Sequence, residues 1–137
     1  MMRTGLAVIA VFVIWVILNF LLHGLLLSSS YAATPQLWRP MADIKMGLTY
    51  FVTLVSAACF VLVYAQFIVD KSLKTATLYG LIVGIGAGIA MGYGSYAVMP
   101  IPYVMALAWF LGSVVSYVVG ALAMGLVLRP APSAGKA

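Results

Sequence analysis

Few side chains in this sequence could do chemistry. The only histidine, His23, sits in the stretch NFLLHG, four residues after Asn19. In a helix that spacing puts carboxamide and imidazole on one face. Three roles are open to the pair. It could be a structural hydrogen-bonding pair facing neighbouring helices, part of a metal or haem site shared with another subunit, or a proton or ligand site. Ionisable groups inside a membrane are functional candidates by default. His23, however, falls only a turn or so from the end of its apolar run, at interfacial depth, where a neutral imidazole is easily satisfied. The structural pair is therefore the expectation. Bis-histidine haem is excluded within one chain, the eight methionines are scattered, and one thiol, Cys59, closes no internal disulfide. Cys59 is expected to be a small buried hydrophobe. No cofactor or metal is assigned.

The acidic residues number two, Asp43 and Asp70, and both flank apolar runs. Their position counts against a proton-coupled pump, which needs an intramembrane carboxylate or similar relay. The patterns GxSxG, HExxH and GxxxxGK[ST] are absent, so hydrolase and nucleotidase chemistry has no residues to rest on. An enzyme is not expected. The polar members of the second apolar run are Gln66, Thr49, Thr53 and Ser56. Such hydroxyls usually bond the carbonyl one turn back.

The elements that position these groups follow from composition. Of 137 residues, 66% are hydrophobic and 7% charged, against roughly 25% charged in a soluble domain. So few charges cannot coat a water-facing surface, so the lipid bilayer is the expected surrounding. No basic stripe with interleaved aromatics marks a nucleic-acid partner. Four runs reach the roughly 20 apolar residues a spanning helix needs: 5–27, 46–69, 75–98 and 102–128. The first exceeds the apolar core of about 7–15 residues in a signal peptide and is read as a retained span. The expected fold is all-α: one domain over 1–137, an up-down-up-down four-helix membrane bundle. Arg3, Lys71, Lys74, Arg129 and Lys136 share one side, with Arg39 and Lys45 on the other. The positive-inside rule then puts both termini in the cytoplasm.

The third run carries Gly80, Gly84, Gly88 and Gly92, and the fourth Ala108, Gly112, Ser116 and Gly120. Lipid gives helices no hydrophobic reason to associate, so close backbone approach must do it, and small residues at every fourth position permit that. The two stripes are expected to face each other in a tight hairpin, or one of them to dock a partner subunit. Tyr93, Tyr96, Tyr103 and Trp109 cluster toward one end of that hairpin, and the three tyrosines fit an interfacial belt. The loop 28–45 holds Pro35 and Pro40, which prevent one continuous helix. Its Trp38 and Arg39 are expected at the membrane surface or against a partner.

The segments HGLLLSSSYAATPQLWRP, YGLIVGIGAG and GSYAVMPIPYVMALAWFLGSVVSYVVG resemble a group of small bacterial inner-membrane proteins to which no function is assigned. His23-Gly24, Tyr31, Leu37 to Pro40 and Ser95 to Pro102 are the recognisable points, and the resemblance covers nearly the whole chain. It implies a bacterial four-span inner-membrane protein and carries no catalytic residues. Two functions are expected from the residues. One is a non-enzymatic accessory or assembly subunit of a larger membrane complex, with other membrane subunits or further copies of itself as partners. The other is a small oligomeric transporter or channel for a small solute.

Overall fold

A computed structural model describes residues 1–129; Lys136, counted in the charge bias, lies outside the described residues. These are all-helical, without strands. Four helices are long and apolar enough to cross a membrane: Met2–Leu26, Met46–Phe67, Leu73–Val98 and Tyr103–Leu128. They are called first to fourth below. Apolar sequence of this length folds as helix because a backbone in lipid must satisfy its polar groups internally. The first and third are not α-helical throughout. Phe20–Leu26 and Ala90–Gly94 are wound as π-helix.

Short connections fix the ends. Between the second and third helices, Lys71 Nζ donates to the carbonyls of Tyr64 (2.7 Å), Ala65 (3.1 Å) and Ile68, closing the helix that ends at Phe67. Ser72 caps the next helix, its Oγ accepting from the Thr75 N–H at 3.2 Å. Asp70 accepts from the Ser72 N–H, the Ser72 hydroxyl and the Thr75 hydroxyl. These bonds hold its carboxyl below the usual carboxylate range, the Thr75 bond most of all. Five residues thus cap two helices. Arg3 Nη1 donates to the Arg129 carbonyl, so the start of the first helix meets the end of the fourth. We call this the Arg3 end and the opposite one the Trp38 end.

The third helix lays its glycines on the fourth. Gly80 abuts Tyr117 and Ala121, Gly84 Val114 and Tyr117, Gly88 Phe110 and Ser113, and Gly92 Ala106 and Phe110. One set of numbers climbs as the other falls, so this pair runs antiparallel. A methyl group at Gly80 or Gly88 would stand 2.7 or 2.8 Å from a backbone carbonyl oxygen of the fourth helix. The fourth helix's own small stripe does not meet these glycines, contrary to expectation. Gly112 lies against Leu22, and Gly120 against Trp15 and Val11. The carbonyl of Ser116 accepts from Trp15 Nε1 at 2.8 Å. The reason is angular. Residues 106, 110, 113, 117 and 121 turn toward the third helix, which leaves 112, 116 and 120 on a neighbouring face for the first helix.

Two cores result. Val11, Trp15, Phe60, Val61, Tyr64, Ala121 and Met124 are among the residues of the one nearer the Arg3 end. Its aromatics interlock: Trp15 lies 4.7 Å from Tyr117, and Phe60 stacks on Tyr79 at 4.8 Å. The other core, at the Trp38 end, holds Leu27, Ile101, Met105, Ala106 and Trp109. The second helix contributes Ala57, Phe60, Val61 and Tyr64 to the first core only. From Met46 to Ser56 every residue is exposed except Thr53, which is half-buried. Cys59 is also exposed, correcting the expectation of a core thiol. It sits on the side of the helix turned away from Phe60 and Val61.

Candidate functional site

The site begins with the winding of the first helix. The Leu27 N–H bonds the Leu22 carbonyl at 2.9 Å, five residues back. π-helical turns of this kind occur often at functional sites. The chain then turns through a short helix, Ser28–Ala32, pinned by a bond of 2.8 Å from the Ser28 hydroxyl to the Leu25 carbonyl. That turn folds Tyr31 back over His23. The Tyr31 hydroxyl lies 2.6 Å from His23 Nδ1 and accepts from Trp109 Nε1 at 3.0 Å. Burial pushes the Tyr31 phenol above its ordinary value, with the Trp109 N–H pulling the other way. The phenol therefore keeps its proton at neutral pH.

Trp38 completes the cluster. Its indole N–H donates to Thr34 Oγ1 at 2.9 Å, and its ring meets Tyr31 edge-on at 5.0 Å and Trp109 at 6.0 Å. Of the two outer-loop residues singled out above, Trp38 is half-buried within its own chain and Arg39 is exposed.

Between the two cores lies a cavity of about 190 Å³. Trp15 bounds it on the side of one core and Trp109 on the side of the other, and its polar lining includes Asn19, His23, Thr53, Ser56, Ser113 and Ser116. No Asp, Glu, Lys or Arg lines it. Thr53 spends its hydroxyl proton on the Thr49 carbonyl at 2.9 Å, as expected for a helical threonine.

Sequence reasoning placed Asn19 and His23 on one face, and both line this cavity. It paired them as structural partners of other helices, and here they differ. His23 is bonded to Tyr31, while Asn19 is exposed and its carboxamide has no hydrogen bond among the described residues. Gly112 and Ser116 also reach the cavity wall; Gly80, Gly84, Gly88, Gly92 and Gly120 serve helix contacts instead. Sequence reasoning missed Ser113 and the inward role of Trp109, which it placed only near the tyrosines at that end of the hairpin. Trp109 is buried. The signal was present: positions 109, 112, 113 and 116 fall on one helical face. Tyr93 and Tyr103 do sit together near the surface, their hydroxyls 3.3 Å apart.

Among the described residues no three His, Cys, Asp or Glu side chains gather as a metal site would require. The cavity offers hydrogen bonds, a neutral imidazole edge and aromatic walls. No protein-family model, curated protein or solved structure gives a significant match to this chain.

Proposed function

We propose that this chain is a non-enzymatic bacterial inner-membrane protein that binds a small solute in a crevice between its helices, as one protomer of a small oligomeric transporter or channel. On this reading it crosses the membrane four times, up-down-up-down, with both termini in the cytoplasm and the Trp38 end outward. The observation that supports it is the cavity of about 190 Å³ whose lining sets several polar but no charged side chains among apolar ones, within helices otherwise suited to lipid. An amide such as that of Asn19, buried in an apolar medium without a partner, costs roughly 2–7 kcal/mol. Water or solute in the crevice removes that cost. The interlocked aromatics around Trp15, Phe60 and Tyr117 lie on the Arg3 side of the crevice and Trp109 on the Trp38 side. On this reading solute enters along the exposed Met46 to Ser56 half of the second helix, which begins at the outer loop.

The test uses thiol reactivity, which needs a hydrated thiolate. In a Cys59→Ser background, Ser56→Cys should react with a membrane-impermeant methanethiosulfonate applied outside. Val55→Cys, exposed at the same depth on another face, should stay silent in lipid. Silence at both positions would remove the hydrated crevice.

A second reading, an accessory or assembly subunit, is favoured by the second helix. Its Met46 to Ser56 half is exposed apart from Thr53, and another subunit's helix could lie along it. The glycine stripes no longer argue for this reading, because they are occupied within the chain. Were it correct, Ser56→Cys would react in the purified chain and be shielded in native membranes, and a further subunit would co-purify in mild detergent.

A further inference from the structure

Building on the solute-binding reading above, we infer that the crevice selects an uncharged solute carrying an oxygen acceptor, such as an amide or other carbonyl, and that the Nε2–H of neutral His23 donates to it. The argument starts from Trp109. An indole nitrogen can only donate, so at 3.0 Å the Tyr31 oxygen must accept. Tyr31 has one proton of its own, and His23 Nδ1 lies 2.6 Å away. If Nδ1 donated instead, Tyr31 would accept twice and its proton would be unused. With Tyr31 donating, each group uses what it has, and the chain runs Trp109 to Tyr31 to His23 in one direction. Bonds aligned this way polarise and strengthen one another. Nδ1 is then the acceptor, and a neutral imidazole carries its proton on Nε2.

Among the described residues Nε2 has no hydrogen-bond partner, and no polar side-chain atom is sealed inside without one. It is therefore accessible, on a residue that forms the cavity wall. The donor is held from behind by a rigid aromatic pair, which is how a site fixes a ligand's orientation. The solute's charge follows from what is missing along the wall. With no carboxylate, ammonium or guanidinium lining the cavity, an ion would lose its water without gaining a counter-charge. Size follows from volume: 190 Å³ corresponds to about six waters at about 30 Å³ each. Ser113, Ser116, Asn19 and Ser56 line the same cavity, able to answer a second polar atom of the solute.

His23 is the only histidine in the chain, so its two ring nitrogens can be read without ambiguity by nitrogen-15 NMR of histidine-labelled protein in lipid nanodiscs. At pH 7.5 the spectrum should show Nε2 protonated and Nδ1 bare. In Tyr31→Phe that preference should relax toward a mixture of tautomers. Titration with acetamide, acetate and methylammonium, matched in size, should shift the Nε2 resonance with acetamide and leave it unmoved with methylammonium; acetate should act more weakly than acetamide. A proton found on Nδ1, or a response to acetate or methylammonium exceeding that to acetamide, overturns the inference even if the crevice binds solutes. If the tautomer is as assigned but none of the three moves Nε2, solute recognition by His23 is wrong. Thiol accessibility at Ser56 then decides separately whether the hydrated crevice stands.

Discussion

At the scale of single residues, three indole and phenol groups do most of the positioning. Trp15 ties the first helix to the fourth through its bond to the Ser116 carbonyl, and Gly120 makes room for its ring. Trp15→Phe keeps most of the ring and loses the donor. In membranes such bonds average about 0.6 kcal/mol and reach about 1.7, so thermal unfolding in detergent should show a loss in that range. His23 presents a different comparison. His23→Leu removes the acceptor for the Tyr31 proton in a half-buried setting and should cost about 1 kcal/mol. His23→Gln should cost less, because its carbonyl oxygen can take the same proton. Tyr31→Phe also strips the acceptor from Trp109 Nε1, so the double variant should lose less than the two single losses together, because they share the Tyr31–His23 bond. If the two losses simply sum, the Tyr31–His23 bond is not what the histidine contributes to stability.

Helices and turns show where sequence sufficed and where it did not. Gly88→Leu drives a side chain into the Phe110 carbonyl and must part the third helix from the fourth; overpacking of this kind costs typically 1–3 kcal/mol, about the same as expected for Gly84→Leu. Gly86, two residues away with nothing near it, should tolerate leucine within about 0.5 kcal/mol. Equal thermal losses at Gly86 and Gly88 would dismiss the contact. The turn after the second helix gives a pH-dependent counterpart. Asp70 has a folded pKa below its unfolded one, so it stabilises the fold above the ordinary carboxylate range and loses that effect as pH falls through the lowered value. Asp70→Asn should therefore lower the melting temperature at pH 7, with the gap to wild type closing as pH drops below 4. The four long apolar helices were legible because a run of about 20 apolar residues is what a spanning helix requires. The expected run 46–69 ends at Phe67 and the run 75–98 starts at Leu73, displaced by the caps from Lys71 and Ser72. The face each small residue would take was not legible. A spacing of four marks a stripe but not its neighbour, which is how Gly112 and Gly120 came to meet the first helix rather than the third. Nor could spacing foresee that a π-wound turn and a short helix bring Tyr31 onto His23, joining groups that an ideal helix would separate.

For the whole molecule, the decisive property is the asymmetry of charge between its two ends. Arg3, Lys74 and Arg129 are exposed at or near the Arg3 end, and Lys71, half-buried, has its ammonium on three carbonyls there. Among the described residues only Arg39 and Lys45 answer them, in the loop between the first and second helices. Cationic residues near span ends resist translocation, whereas acidic ones count for little, so Asp43 and Asp70 do not alter the bias. Reporter fusions after Lys74 are expected to read cytoplasmic, and fusions near Gln36 external. The charge argument can be pressed further. Replacing Arg3, Lys74 and Arg129 together by Gln leaves Lys71 and Lys136 on one side against Arg39 and Lys45 on the other. With the bias removed and the four apolar helices untouched, the chain should insert in both orientations, and fusions at Gln36 should split between the two compartments. Adding Arg39→Gln and Lys45→Gln should restore a single orientation. A triple variant that still inserts one way would mean that orientation is set by something other than charge, such as the loop around Trp38, whose compact fold would then be the element to alter next.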